Sequence, residues 1–133
     1  MSVNKDGRAL VFVYGTLLKG ESNHIDYYMA GSEFLGKATL SGFDMYYSGF
    51  YPAIVPGKGK VKGEIYSVTP ESLKKIDGLE DEGNLYSRKT VKAVTDKGES
   101  LDVFAYIFLR DTEDMELVPE SKQPYSSRWG ARR

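Results

Sequence analysis

With no cysteine and a single histidine, His24, proton chemistry in this chain falls to carboxylates and tyrosines. The lack of cysteine removes thiol nucleophiles, disulfides and zinc–thiolate sites. One histidine argues against a histidine metal site or a Ser-His-Asp triad. The carboxylates to weigh are Glu80, Asp81 and Glu82, consecutive in the sequence. Glu80 differs from its neighbours in spacing. It lies four residues after Ile76 and seven after Leu73. A helical turn continued that far would aim it along the same apolar stripe. A carboxylate so placed is partly desolvated, which raises its pKa and strengthens it as a proton acceptor. The plainer alternative is a solvated acidic loop.

The second stretch with chemical potential is the loop Tyr14-Gly15-Thr16-Leu17-Leu18-Lys19-Gly20. It follows Leu10-Val11-Phe12-Val13, an apolar run that reads as a strand. A strand that opens at a glycine into a small polar turn leaves backbone N–H groups free. These can cradle an anion or a developing oxyanion. An ordinary strand-end turn, with Gly15 supplying the φ angle, accounts for the same residues.

These two stretches need elements to position them. Residues 9–14 read as a strand apolar on both faces, hence central in a sheet or barrel. Ser22 is placed to cap a short helix with Ile25, Tyr28 and Met29 on one face, ended by Gly31. Residues 33–47 alternate as one or two strands bent at Gly36 and Gly42. Pro52 and Pro56 bracket Ala53-Ile54-Val55, which suggests an edge strand. There Phe50 and Tyr51 serve either barrel closure or a pocket wall. Lys58-Gly59-Lys60 reads as a flexible tip, and residues 61–68 as a strand with Gly63 permitting close backbone approach. Thr69-Pro70 starts a helix, with Leu73, Ile76 and Leu79 as its buried stripe and Gly78 as its expected end. Residues 86–94 and 101–109 form a hairpin about Asp96-Lys97-Gly98. The second of these strands is the most apolar, so it belongs at the centre of a closed or covered sheet. The tail, residues 110–133, lacks clear periodicity, but Tyr125 and Trp129 suggest that it docks.

Length and charge set the outer limits. The 133 residues suit one domain, 1–133, with its core at about 9–109. Ten tyrosines suit a β-rich protein or a pocket with apolar walls and polar tips. A formal net charge of −1 gives no field to attract nucleic acid or a membrane. The three arginines Arg128, Arg132 and Arg133 are too few for a nucleic-acid patch. No apolar run is long enough for a transmembrane helix, and the polar start is no signal peptide. A soluble, cytoplasmic α+β domain follows as the expectation, a curled sheet or barrel with few helices.

Several separated stretches together resemble one family. Val11-Phe12-Val13-Tyr14-Gly15-Thr16-Leu17 is similar to the opening of the γ-glutamylcyclotransferase-like, or AIG2-like, family. Ile76-Asp77-Gly78-Leu79-Glu80 followed by Leu85-Tyr86-Ser87-Arg88 resembles its second signature. Tyr51-Pro52-Ala53-Ile54-Val55 and Val61-Lys62-Gly63-Glu64-Ile65-Tyr66 match in order and spacing. The likeness runs from about residue 9 to 109 and is greatest to the small bacterial and γ-glutamylamine cyclotransferase branch. It implies a small mixed β-barrel with flanking short helices and a cavity between the Tyr-Gly-Thr-Leu loop and one catalytic glutamate. Carried over by motif, that glutamate is Glu80, and Tyr14, Gly15, Thr16 and Leu17 bind substrate. Tyr51, Tyr86, Arg88 and Tyr125 are candidate pocket residues, Arg88 equally serving as a structural ion pair. The implied substrate is a γ-glutamyl amide, closed to 5-oxoproline by its own α-amine. That chemistry needs no metal and no organic cofactor. A non-catalytic binding domain on the same barrel is the alternative.

Overall fold

The computed structural model describes residues 7–15, 17, 18, 20, 21 and 26–126. Ser22, His24, Ile25, Trp129 and the terminal arginines lie outside the described residues. The framework is a closed five-stranded barrel. Its strands are β1 (Ala9–Val13), β2 (Glu33–Tyr47), β3 (Pro52–Val68), β4 (Tyr86–Thr95) and β5 (Ser100–Phe108). They run in the order β3-β1-β5-β4-β2, and β2 closes the ring by pairing with β3. Every neighbouring pair is antiparallel except β1 with β5. The barrel is therefore mixed, with few helices outside it.

β1 and β5 lie side by side, and their apolar sequences explain why. Val11, Phe12, Val103 and Ala105 have no exposed surface. Strands buried on both sides cannot sit at an edge. The barrel interior is completed by Leu40, Ile54, Val61 and Ile65, all fully buried. β2 bends as its glycines suggest. Its register against β3 shifts between Phe34 and Gly36 and again between Ser41 and Phe43. Gly36 and Gly42 have φ of 136° and 90°, values that side-chain-bearing residues seldom adopt.

Gly63 is held by close approach. A Cβ there would overlap the Val13 carbonyl oxygen and stand 2.6 Å from Cζ of Phe12. Gly63→Ala is accordingly expected to cost about 1–3 kcal/mol by overpacking. Denaturant unfolding should show a lower midpoint with an unchanged slope.

Two expectations are corrected. Lys58-Gly59-Lys60 is no flexible tip, because β3 runs unbroken from Pro52 to Val68. The Asp44 carboxylate packs over Gly57 and Gly59, and its Oδ1 accepts the Gly59 N–H at 2.9 Å. The β2–β3 hairpin turns instead at residues 48–51, where the Ser48 hydroxyl accepts N–H bonds from Phe50 and Tyr51. The tail carries a strand that periodicity missed, β6 (Glu116–Val118), paired antiparallel with Met45–Tyr47. Beyond it the buried Gln123 side chain bonds backbone groups of Lys60, Lys62 and Val118. The tail thus docks, at least as far as Ser126.

Among the described residues two α-helices flank the barrel: α1 (Asp26–Met29) and α2 (Pro70–Leu79). Met29 is buried, and Gly31 follows with φ of 71°. Among the described residues no helix is long and apolar enough to cross a membrane.

Candidate active site

The site begins with how α2 starts and stops. The Thr69 hydroxyl oxygen accepts the Ser72 N–H at 3.1 Å, Pro70 fills the first turn, and Ile76 is wholly buried. Gly78 does not end the helix. The left-handed residue that does is Asp81, with φ of 52°. The Asp81 N–H bonds the Gly78 carbonyl at 3.2 Å, and the Glu82 N–H bonds the Asp77 carbonyl at 3.0 Å. This crossed pair of bonds is the Schellman motif, which satisfies carbonyls the helix end would leave open. Glu80 therefore stays in helical register, its N–H on the Ile76 carbonyl at 2.9 Å.

That register turns Glu80 inward, into the wall of a cavity of about 60 Å³. Such a space takes roughly four to six water-sized groups at ~10–15 Å³ each. Phe12 and Val13 of β1 and the loop residues Tyr14, Gly15 and Leu17 line it. Tyr51 and Pro52 also line it, with Tyr86 of β4 and Tyr106 of β5. Burial pushes the Glu80 carboxyl up to about 7. Among the described residues it has no hydrogen-bond or ion-pair partner that would hold the charged form. Near neutral pH both protonation states are populated, as a proton carrier needs.

The tyrosines around it are fixed by backbone oxygens. The Tyr14 hydroxyl donates to the Tyr106 carbonyl at 2.6 Å, and the Tyr86 hydroxyl donates to the Pro52 carbonyl at 2.8 Å. Burial first, then neighbouring tyrosine or Glu80 charge, raises the pKa of both phenols. They remain neutral. Gly15 packs its bare Cα against Pro52; a Cβ would stand 3.1 Å from Pro52 Cγ. Its φ lies outside the left-handed region, so close packing and not φ calls for glycine here.

Of the candidate residues, Glu80, Tyr14, Gly15, Leu17, Tyr51 and Tyr86 line this one cavity. Thr16 lies outside the described residues. Arg88 and Tyr125 are not in the cavity wall. Arg88 Nη1 donates to Asp77 Oδ2 at 2.7 Å, and its guanidinium lies 4.7 Å from the Phe104 ring centre. Arg88 is thus an ion-pair residue behind the site. Tyr125 is buried against Tyr47, with ring centres 6.1 Å apart. Glu82 is exposed and accepts the Arg88 N–H.

Sequence reasoning missed Tyr106 and Asp77. The Tyr106 hydroxyl donates to Asp77 Oδ1, while its carbonyl receives Tyr14. A polar-tipped ring between Ala105 and Ile107 was the available signal, as was an acid one helical turn before Glu80. No group of three or more possible metal ligands exists among the described residues.

A closed barrel that brings one desolvated carboxylate to a cavity, facing a loop, is a small-molecule site fit for proton transfer. A family profile described as "Gamma-glutamyl cyclotransferase, AIG2-like" matches residues 11–130. The γ-glutamylcyclotransferase family protein YtfP of Escherichia coli K12 is 30% identical over 108 residues, covering 81% of this chain and 89% of YtfP. An uncharacterized protein from Pyrococcus horikoshii superposes with a TM-score of 0.66 at 30% identity, covering 85% of this chain and 87% of that one. A mouse AIG2-like protein superposes with a TM-score of 0.68 at 26% identity, covering 87% and 99%. The chain belongs to the γ-glutamylcyclotransferase, AIG2-like family.

Proposed function

We propose that this protein is a cyclotransferase of the γ-glutamylamine type, converting a γ-glutamyl amine or amide to 5-oxoproline and a free amine. The observation that carries this reading is Glu80, a desolvated carboxylate with its pKa near 7, in the wall of the same small cavity as Tyr14, Gly15 and Leu17.

The substrate brings its own nucleophile. The Glu80 carboxylate accepts a proton from the α-ammonium, and the freed amine attacks the γ-carbonyl carbon. A five-membered ring closes, and the carbonyl oxygen takes the negative charge. Glu80 delivers that proton to the amide nitrogen, the C–N bond breaks and the carbonyl reforms, and the ring nitrogen gives up its second proton to the departing amine, which leaves as an ammonium ion. No water is consumed. The cavity selects the folded conformer, so ring closure is a near-attack event. Backbone N–H groups of the loop serve the developing oxyanion or the α-carboxylate.

The test is product analysis on a panel of γ-glutamyl amides. Release of 5-oxoproline is the expected result. Free glutamate in its place would make water the nucleophile, and ligand binding without turnover would make the protein a binding domain. The kcat/KM profile should rise through an acid limb at about 7, where Glu80 ionises. It should fall again where the substrate ammonium loses its proton. A flat profile from pH 5 to 8 would remove Glu80 from the proton-transfer step.

A further inference from the structure

The hydroxyl of Tyr86 has a property that its ring does not advertise. It donates to the Pro52 carbonyl at 2.8 Å. A carbonyl oxygen can only accept, so the phenolic proton is committed. What remains is acceptor capacity, on a residue that lines the cavity with Glu80. Tyr14 differs. Its hydroxyl likewise donates to the Tyr106 carbonyl, but the Ile54 backbone also favours negative charge on its oxygen. Tyr106 spends its phenolic proton on Asp77. The hydroxyls of Tyr14, Tyr86 and Tyr106 therefore have no proton left to donate into the cavity, and the one carboxylate can accept.

The Tyr86 ring is held rigidly. It packs 5.4 Å from Phe108 and 6.5 Å from Tyr51, centre to centre. An acceptor fixed by a hydrogen bond and two ring contacts needs little ordering when a ligand arrives. Acceptors at Tyr86 and Glu80 suit a donor-rich cationic group.

Resting on the γ-glutamyl reading above, we infer that the Tyr86 hydroxyl accepts a hydrogen bond from the substrate's α-ammonium, sharing that group with Glu80. Glu80 takes the proton that leaves. Tyr86 holds a second N–H, which orients the nitrogen lone pair toward the γ-carbonyl once Glu80 has removed its proton. Tyr86 is then a determinant of both affinity and orientation, and it selects free α-amines.

Tyr86→Phe tests this, because it keeps both ring contacts and removes only the oxygen. Two ligands are compared in both proteins: a γ-glutamyl amide that the wild-type protein turns over, and the glutaryl amide of the same amine, which lacks only the α-ammonium. In Tyr86→Phe the KM for the γ-glutamyl amide should rise tenfold or more, as loss of a hydrogen bond to a charged group implies. The inhibition constant of the glutaryl amide should not move. Equal weakening of both ligands would mean that Tyr86 merely shapes the cavity through Pro52, and would overturn the assignment. Wild-type turnover with an unchanged KM in Tyr86→Phe would overturn it alone. Absence of wild-type turnover across the panel would remove the γ-glutamyl reading and this assignment with it.

Discussion

Glu80→Gln is expected to abolish turnover and, above pH 7, to make the protein more stable. The two effects have one cause. Loss of the proton carrier removes a contribution of ~10²–10⁴-fold in rate, and glutamine restores none of it. The stability effect follows from linkage. The carboxyl has its ordinary value of 4.5 in the unfolded chain and about 7 in the fold. Between those values the folded protein holds a proton that the unfolded chain has released. Stability therefore declines as pH rises from about 4.5 to 7, and is level beyond. The full decline for this shift is about 3 kcal/mol. Glutamine is neutral at every pH and carries no such slope. The variant and parent should be alike near pH 4.5 and diverge toward pH 8, with the variant unfolding at higher denaturant. A stability difference independent of pH would mean that the Glu80 carboxylate is not desolvated in the fold. Retained 5-oxoproline release would assign the proton transfer to another group.

Glu80 was legible because the helix period is rigid. Leu73 and Ile76 define a stripe, and the residue four positions beyond Ile76 must share it. Gly63 and the two bends of β2 were legible because backbone crowding leaves glycine few substitutes. Local signals failed where a distant side chain decided the outcome. Gly59 looked like part of a flexible tip, but the Asp44 carboxylate packs over it from β2 and accepts its N–H. Gly78 looked like the end of α2, yet Asp81 takes the left-handed position, its side chain accepting from Asn84 Nδ2 at 2.7 Å. β6 is only three residues long, too short for alternation to register. Arg88 had two readings from sequence, and the position of Asp77 on the facing helix end chose between them. The loop and Glu80 each read as half of a site. What joined them was a residue of β5 that sequence placed on a strand face without saying what that face met.

Asp77→Ala tests that joint and is expected to lower kcat by ~10–100-fold although Asp77 is not in the cavity wall. Asp77 accepts from Arg88 Nη1 at 2.7 Å and from the Tyr106 hydroxyl. Through Tyr106, whose carbonyl receives the Tyr14 hydroxyl at 2.6 Å, one strand grips both the helix end and the loop. Alanine leaves a guanidinium and a phenol unpartnered one turn from Glu80. Both Asp77 and Arg88 side chains are 27% exposed, so water recovers part of the loss. A stability cost of about 1–3 kcal/mol is expected, below that of a fully buried pair. The larger effect falls on rate, since a displacement of ~1 Å at the reacting groups can cost about 10²-fold. Asp102 supplies the contrast. Its ion pair with Lys92 is closed at 3.0 Å, but the side chains are 39% and 66% exposed. Asp102→Ala should leave turnover unchanged, because an exposed pair is solvated either way and points at nothing catalytic. A double-mutant cycle separates positioning from general loosening. Asp77→Ala and Arg88→Ala remove the same contact, so their combined effect on kcat should fall well short of the product of the single effects. If the two multiply independently, the pair does not act as one unit and Glu80 is positioned by the helix cap alone.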